Sequence, residues 1–382
     1  MRATPDALPT RVPSVGAGFR AVWADNLKVV LVAGVVVAHT TMAWTHVGDW
    51  VFLEPPVREP LLSVLTLLTA VVGLFGMPLF FLVAGYFTPG SLSRKGFRRF
   101  VGDRAARLLL PMLAFMLLLS PPIEFVDPQN AGWTGGFCDF VPRVLWVPAP
   151  GPTWFLGVLF VFSLSYAALR GLRPARTTHA PGPRVWQLLL GALAVAVAAF
   201  PIMTAAPLGE EVWRLSIAQA PAWVAGFVLG VLARERAWVP LQDGLARTIR
   251  WVAWLAALVC MLAFVLGSLS GADLGLLLGG GTWQSAVIAL VQGLLVVFAS
   301  LWVVDLFQRR RDQRSAFGAT LSRAAYAAFL VHQGVLVLLV LASHRLDWPP
   351  EASYLAVTVA GVAVSFALGM VLARTPLVRR VV

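Results

Sequence analysis

The chain has 382 residues, of which 59% are hydrophobic and only 13% charged, a composition far from that of water-soluble domains. Its net charge of +12 raises the question of a nucleic-acid partner, but the arginines occupy short gaps between apolar runs, and no polar basic domain exists to present them, so no nucleic acid is expected. Two cysteines, Cys138 in a polar stretch and Cys260 in an apolar run, give no disulfide framework and no Cys-based metal site, and no metal is expected.

Ten apolar runs, the first and third of which need polar end residues to complete a bilayer-crossing helix, predict an all-α polytopic membrane protein. They cover residues 29–44, 61–87, 108–123, 154–169, 185–205, 216–233, 251–269, 285–307, 324–343 and 352–373. The first run has no small-residue cleavage pattern after it and is expected to be a retained helix. The expected organisation is a cytoplasmic segment 1–28, a membrane-embedded unit 29–373 and a short cytoplasmic tail 374–382. Charge supports that orientation: of 30 basic residues all but Arg58, Arg143, Arg214 and Arg345 fall in alternate gaps, which the positive-inside rule assigns to the cytoplasm together with both termini.

Ionisable groups within spans cost about 2.5 to 3.5 kcal/mol on insertion scales, so each is a functional candidate. In the first span His39 follows Lys28 by eleven residues, three helical turns plus about 20°, which puts both on one face with the imidazole about 16 Å deeper. Asp25, three residues before Lys28, shares that face. An unperturbed imidazole titrates near pH ~6.5, so histidine suits general-base work; it equally suits a plain hydrogen bond between helices.

Arg104 and Arg107 form an R-x-x-R pair at the entrance of the third span, spaced to present two guanidinium forks to phosphates. The neighbouring Arg94, Lys95, Arg98 and Arg99 fit ordinary membrane anchoring. The segment 124–153, rich in Pro, Gly and Trp, suits a lid or a piece lying back on the membrane. Trp154 and Phe155 open the fourth span, where aromatic residues commonly mark the interface. Gly226 and Gly230 make a G-x-x-x-G packing signal in the sixth. In the ninth, His332 lies six residues beyond Tyr326, able to position an acceptor, to orient a neighbouring residue or to serve structure alone; His46, His179 and His344 lie in or beside loops. No Walker loop, zinc-ligand spacing or nucleophile elbow occurs.

Together these residues resemble the acyltransferase-3 family of integral membrane acyltransferases, which includes surface-polysaccharide O-acetylases and the succinyltransferase of periplasmic glucans. Lys28 and His39 match its basic-residue, ten residues, histidine pattern, and Arg104 and Arg107 its R-x-x-R. The stretch from Pro78 to Phe87 is similar to its FFxxSGF segment, with Ala84 in the serine position, and Trp154 to Leu156 and Tyr326 to His332 to its WFL and YLxH segments. The resemblance implies an enzyme of the inner (plasma) membrane with no tightly bound cofactor. Acyl-CoA is its co-substrate, donating an acyl group of the acetyl or succinyl class to a hydroxyl of a carbohydrate or another envelope or secreted acceptor. His39 is then catalytic and Lys28, Arg104 and Arg107 bind the donor, with Asp25, Tyr326, His332 and Trp154 as secondary candidates. The acyl chain, the acceptor and the oligomeric state stay open. A transporter or flippase using the histidines as a proton relay is the rival of another class, and a different acyltransferase family centred on His332 is the enzymatic one.

Overall fold

The computed structural model describes residues 21–48, 50–127, 132–172, 182–212, 214–271, 273–313 and 315–375. Arg2, Arg11, Arg20, Arg173, Arg176, His179, Arg314, Arg379 and Arg380 lie outside the described residues.

Among the described residues ten helical segments are long and apolar enough to cross a membrane, and they correspond one to one with the ten predicted runs. A bilayer offers no water to unpaired backbone groups, so an apolar chain satisfies them within helices. We label the helices α1 (Val22–Thr45), α2 (Leu61–Lys95), α3 (Phe97–Val126), α4 (Phe137–Trp146), α5 (Trp154–Leu172), α6 (Val185–Ala205), α7 (Ala220–Glu235), α8 (Asp243–Leu269), α9 (Trp283–Arg310), α10 (Ala316–Ser343) and α11 (Pro350–Leu372). Several begin or end beyond the apolar run. α1 starts seven residues early with Asp25 in its first turn, and α2 continues to Arg94 and Lys95 in its last turn. Charges of those signs complement the helix dipole, so the helix persists into the interface where hydrophobicity stops.

The 124–153 segment is not a simple lid. It contains α4, which packs on the end of α3 through Phe137 and Phe140 against Phe125, with centroids 5.3 and 5.4 Å apart.

α9 lies at the centre, 72% of its apolar window being buried, whereas α8, at 17%, is peripheral. α2 and α7 pack at backbone contact. A Cβ on Gly226 would overlap the carbonyl of Pro78 and one on Gly230 that of Leu82, so the G-x-x-x-G pair is a packing device. α1 lies against α10 and α11, which brings the spans bearing His39 and His332 side by side.

α3 departs from regular geometry, with π-helical turns at Ala105–Leu109 and Phe115–Leu119. Each lies close before proline, Pro111 or the Pro121-Pro122 pair. Proline has no N–H to return to the carbonyl four residues back, so the hydrogen-bond ladder is rearranged there.

Candidate active site

His39 and His332 meet across the α1–α10 contact. Nδ1 of His39 is 2.9 Å from Nε2 of His332, with the two rings within 4° of parallel. The far nitrogen of His332, Nδ1, lies 2.5 Å from the carbonyl oxygen of Phe329. A carbonyl oxygen only accepts, so that nitrogen carries the proton it donates. In the neutral pair Nε2 of His332 is then a lone pair, and His39 Nδ1–H donates to it. The remaining lone pair of the dyad is on Nε2 of His39.

Accessibility divides the two rings in the same way. His332 is fully buried with both nitrogens engaged, whereas His39 is only partly buried. His332 is therefore the orienting partner and His39 the ring able to meet a substrate. A site centred on His332, the enzymatic rival weighed from sequence, has no free nitrogen in this arrangement. The indole of Trp50, from the segment between α1 and α2, stacks on His39 with centroids 4.6 Å apart and shields one face of the imidazole. Among the described residues no group of three or more His, Cys, Asp or Glu side chains converges in a way that could hold a metal.

Toward the arginine-rich end, a cavity of about 230 Å³ is lined by Arg104 and Arg107 with Arg94, Lys95, Phe87 and Phe100. Arg104 is fixed there: its Nη2 donates to Thr88 Oγ1 over 3.3 Å and its guanidinium lies 5.2 Å from the Phe100 ring centre. Arg107 is exposed and extends the basic wall. Arg94 and Lys95, which sequence alone assigned to anchoring, line the same cavity; Lys95 also pairs with Asp103. Arg98 and Arg99 are exposed and do not line it.

Tyr326 ties the cavity to the dyad. Its hydroxyl donates to the backbone carbonyl of Arg107 over 2.5 Å. In a regular helix that carbonyl would accept from residue 111, but residue 111 is proline. Tyr326 thus satisfies the acceptor that Pro111 leaves open, and it sits on the same helix as His332, about 9 Å along the axis.

Lys28 lies 3.8 Å from Asp25 and is not among the residues lining the basic cavity. It stands about 16 Å from His39 along α1. The connection between that end of α1 and the cavity is aromatic: Trp23 stacks on Phe87 with centroids 6.0 Å apart. Trp154 packs 4.5 Å from Trp223 in an aromatic cluster joining α2, α5 and α7, and this cluster is its principal environment.

Three relatives place the chain. Nodulation protein NolL of Sinorhizobium fredii (strain NBRC 101917 / NGR234) is 26% identical over 65% of this chain and 59% of its own length. NolL of Mesorhizobium japonicum (strain LMG 29417 / CECT 9101 / MAFF 303099) is 26% identical over 63% of this chain and 55% of its own. Glucans biosynthesis protein C of Salmonella heidelberg (strain SL476) is 26% identical over 70% and 71%. The chain thus spans less than two thirds of the two nodulation proteins it matches. No solved structure matches. A family model described as an acyltransferase domain matches residues 21–374, a range that takes in all ten spans, both dyad histidines and the arginine pair, and the chain belongs to this acyltransferase-3 family.

Proposed function

We propose that the protein is a membrane O-acyltransferase. It moves an acyl group of the acetyl or succinyl class from acyl-CoA, presented at the basic cytoplasmic cavity, to a hydroxyl of a carbohydrate or other envelope or secreted acceptor. The observation that carries this is the His39–His332 dyad, because its hydrogen bonds leave a single unshared lone pair, on the more accessible ring.

The donor's phosphates would lie against Arg104 and Arg107, whose forks suit bidentate contact, with Arg94 and Lys95 adding charge. The pantetheine arm would run from there along α10 toward His39. Nε2 of His39 takes the proton of the acceptor hydroxyl as its oxygen bonds to the thioester carbonyl carbon. The carbon–sulfur bond then breaks, and the proton passes to the departing sulfur. His332 accepts the Nδ1–H bond throughout, holding the ring in the tautomer whose Nε2 is basic and supporting the charge it gains. Lys28, with Asp25, would add positive potential at the cytoplasmic mouth.

The positive-inside rule favours a cytoplasmic position for the arginine-rich end, which would put donor entry where acyl-CoA is made available, as an enzyme of the inner membrane would need. A proton-relay transporter would also use a histidine dyad, but it has no need of the basic cavity at one end.

Purified protein in lipid nanodiscs, supplied with labelled acetyl- or succinyl-CoA and candidate glycans, tests the proposal. His39→Ala is expected to abolish transfer by about 10²-fold or more while leaving insertion and folding intact. Transfer at the wild-type rate by the folded variant would remove His39 from the chemistry. Label retained on the protein after mixing with donor alone, and absent in His39→Ala, would replace direct attack by a covalent acyl-imidazole.

A further inference from the structure

At the end of the bundle opposite the arginines, a second cavity of about 460 Å³ opens between the end of α1, the start of α11 and the loop that follows α10. Glu54, His344, Ser343 and Ser353 supply its polar atoms, and Trp44 and Trp348 are among its apolar walls. Glu54 is only 7% exposed, and it is held from two sides. His46 Nε2 donates to its backbone carbonyl over 2.7 Å, and His344 Nε2 donates to its Oε1 over 2.7 Å.

A buried carboxylate is costly, and its partner His344 is 45% exposed, where an ion pair contributes little to stability. Fold stability alone therefore gives a weak account of Glu54. Among the described residues His344 is its one side-chain donor, so Oε2 keeps its lone pairs for a ligand's O–H groups. A fixed carboxylate, an imidazole, two serine hydroxyls and a half-exposed indole are the complement of a sugar ring, which is polar at its rim and apolar on its C–H faces.

The cavity is also linked to the dyad through a short run of packed side chains. Trp44 is five residues beyond His39 on α1, about 7.5 Å along the axis. The segment after α1 runs from Trp50, stacked on His39, through Phe52, 6.0 Å from the His344 ring, to Glu54. Such spacing suits a neighbouring unit of the same chain as the acylated one.

We propose that this cavity is a distal carbohydrate subsite: Glu54 accepts hydrogen bonds from hydroxyls and Trp348 covers a ring face of a sugar next to the one acylated at His39, so that the preferred acceptor is an oligosaccharide. The proposal rests on the acyl-transfer function above for the position of the acylated unit, and its test is one of binding. Wild-type protein in nanodiscs is titrated calorimetrically with glucose and N-acetylglucosamine oligomers, from single sugars to hexamers. Affinity is expected to rise with length in at least one ladder. Glu54→Gln and Trp348→Ala are each expected to weaken hexamer binding about tenfold. Trp348 lies half exposed on the rim, so its variant decides the matter if Glu54→Gln does not fold. Hexamer binding by Trp348→Ala equal to wild type, or no binding of either ladder by wild type, overturns the subsite. Thioester cleavage followed in the same samples judges the acyl-transfer function separately: intact, length-dependent binding without any acyl transfer would overturn that function and leave the subsite standing.

Discussion

At His39 the proton resides on Nδ1 because a carbonyl oxygen two hydrogen bonds away, that of Phe329, can only accept. Removing the intermediate ring breaks this chain of constraint without touching the substrate. His332→Ala leaves His39 free to take either tautomer and to rotate, and it removes the side-chain donor to the Phe329 carbonyl. We expect kcat to fall by about 10²-fold with the KM for acyl-CoA unchanged, measured by steady-state thioester release. A wild-type kcat in the variant would show that His332 does not orient the base. Both histidines were individually visible in the sequence, since an ionisable residue within an apolar run is conspicuous. Their pairing was not, because 293 positions separate them and no periodicity relates one span to another. Glu54 and His344 were passed over for a similar reason: each lies in or beside a loop, and only the fold brings them within 2.7 Å.

In α3, proline decides where geometry departs from the regular pattern. Pro111 stands four residues beyond Arg107 in the sequence, yet its consequence, an unsatisfied carbonyl at Arg107 and a π-helical turn over Ala105–Leu109, needs the neighbouring helix to be recognised. Tyr326 supplies the missing hydrogen-bond donor and thereby fixes the backbone that carries one of the two guanidiniums lining the basic cavity. Tyr326→Phe keeps the ring and removes only the hydroxyl. The orphaned carbonyl should lower stability by about 1 to 3 kcal/mol. The looser Arg107 segment should raise the acyl-CoA KM about threefold or more while kcat changes little. A variant with wild-type KM and lowered kcat would move Tyr326 from positioning the donor to the chemistry itself. The apolar runs gave the number and order of spans, and α6 begins and ends where its run does. The start of α1 and the end of α2 ran past their runs because charged turns at the interface remain helical, which a hydrophobicity pattern does not record.

For the molecule as a whole, the decisive asymmetry is between its two ends. The arginine-lined cavity and the Glu54 cavity lie at opposite ends of α1, a helix of 24 residues and so about 36 Å long, with the dyad between them. Donor and acceptor can then approach one base from opposite sides of the membrane, provided the arginine end is cytoplasmic. The chain carries its own reporter of that orientation. Cys138, on α4, is exposed and lies beyond the far end of α3 from the arginines, whereas Cys260 is fully buried within α8. A membrane-impermeant maleimide added to spheroplasts should therefore modify Cys138 without lysis, and Cys138→Ser should lose the label while Cys260→Ser retains it. Labelling of Cys138 only after the membrane is opened would invert the bundle. It would place the basic cavity outside, away from any cytoplasmic thioester, so the route from donor to acceptor depends on this charge distribution as firmly as on the dyad.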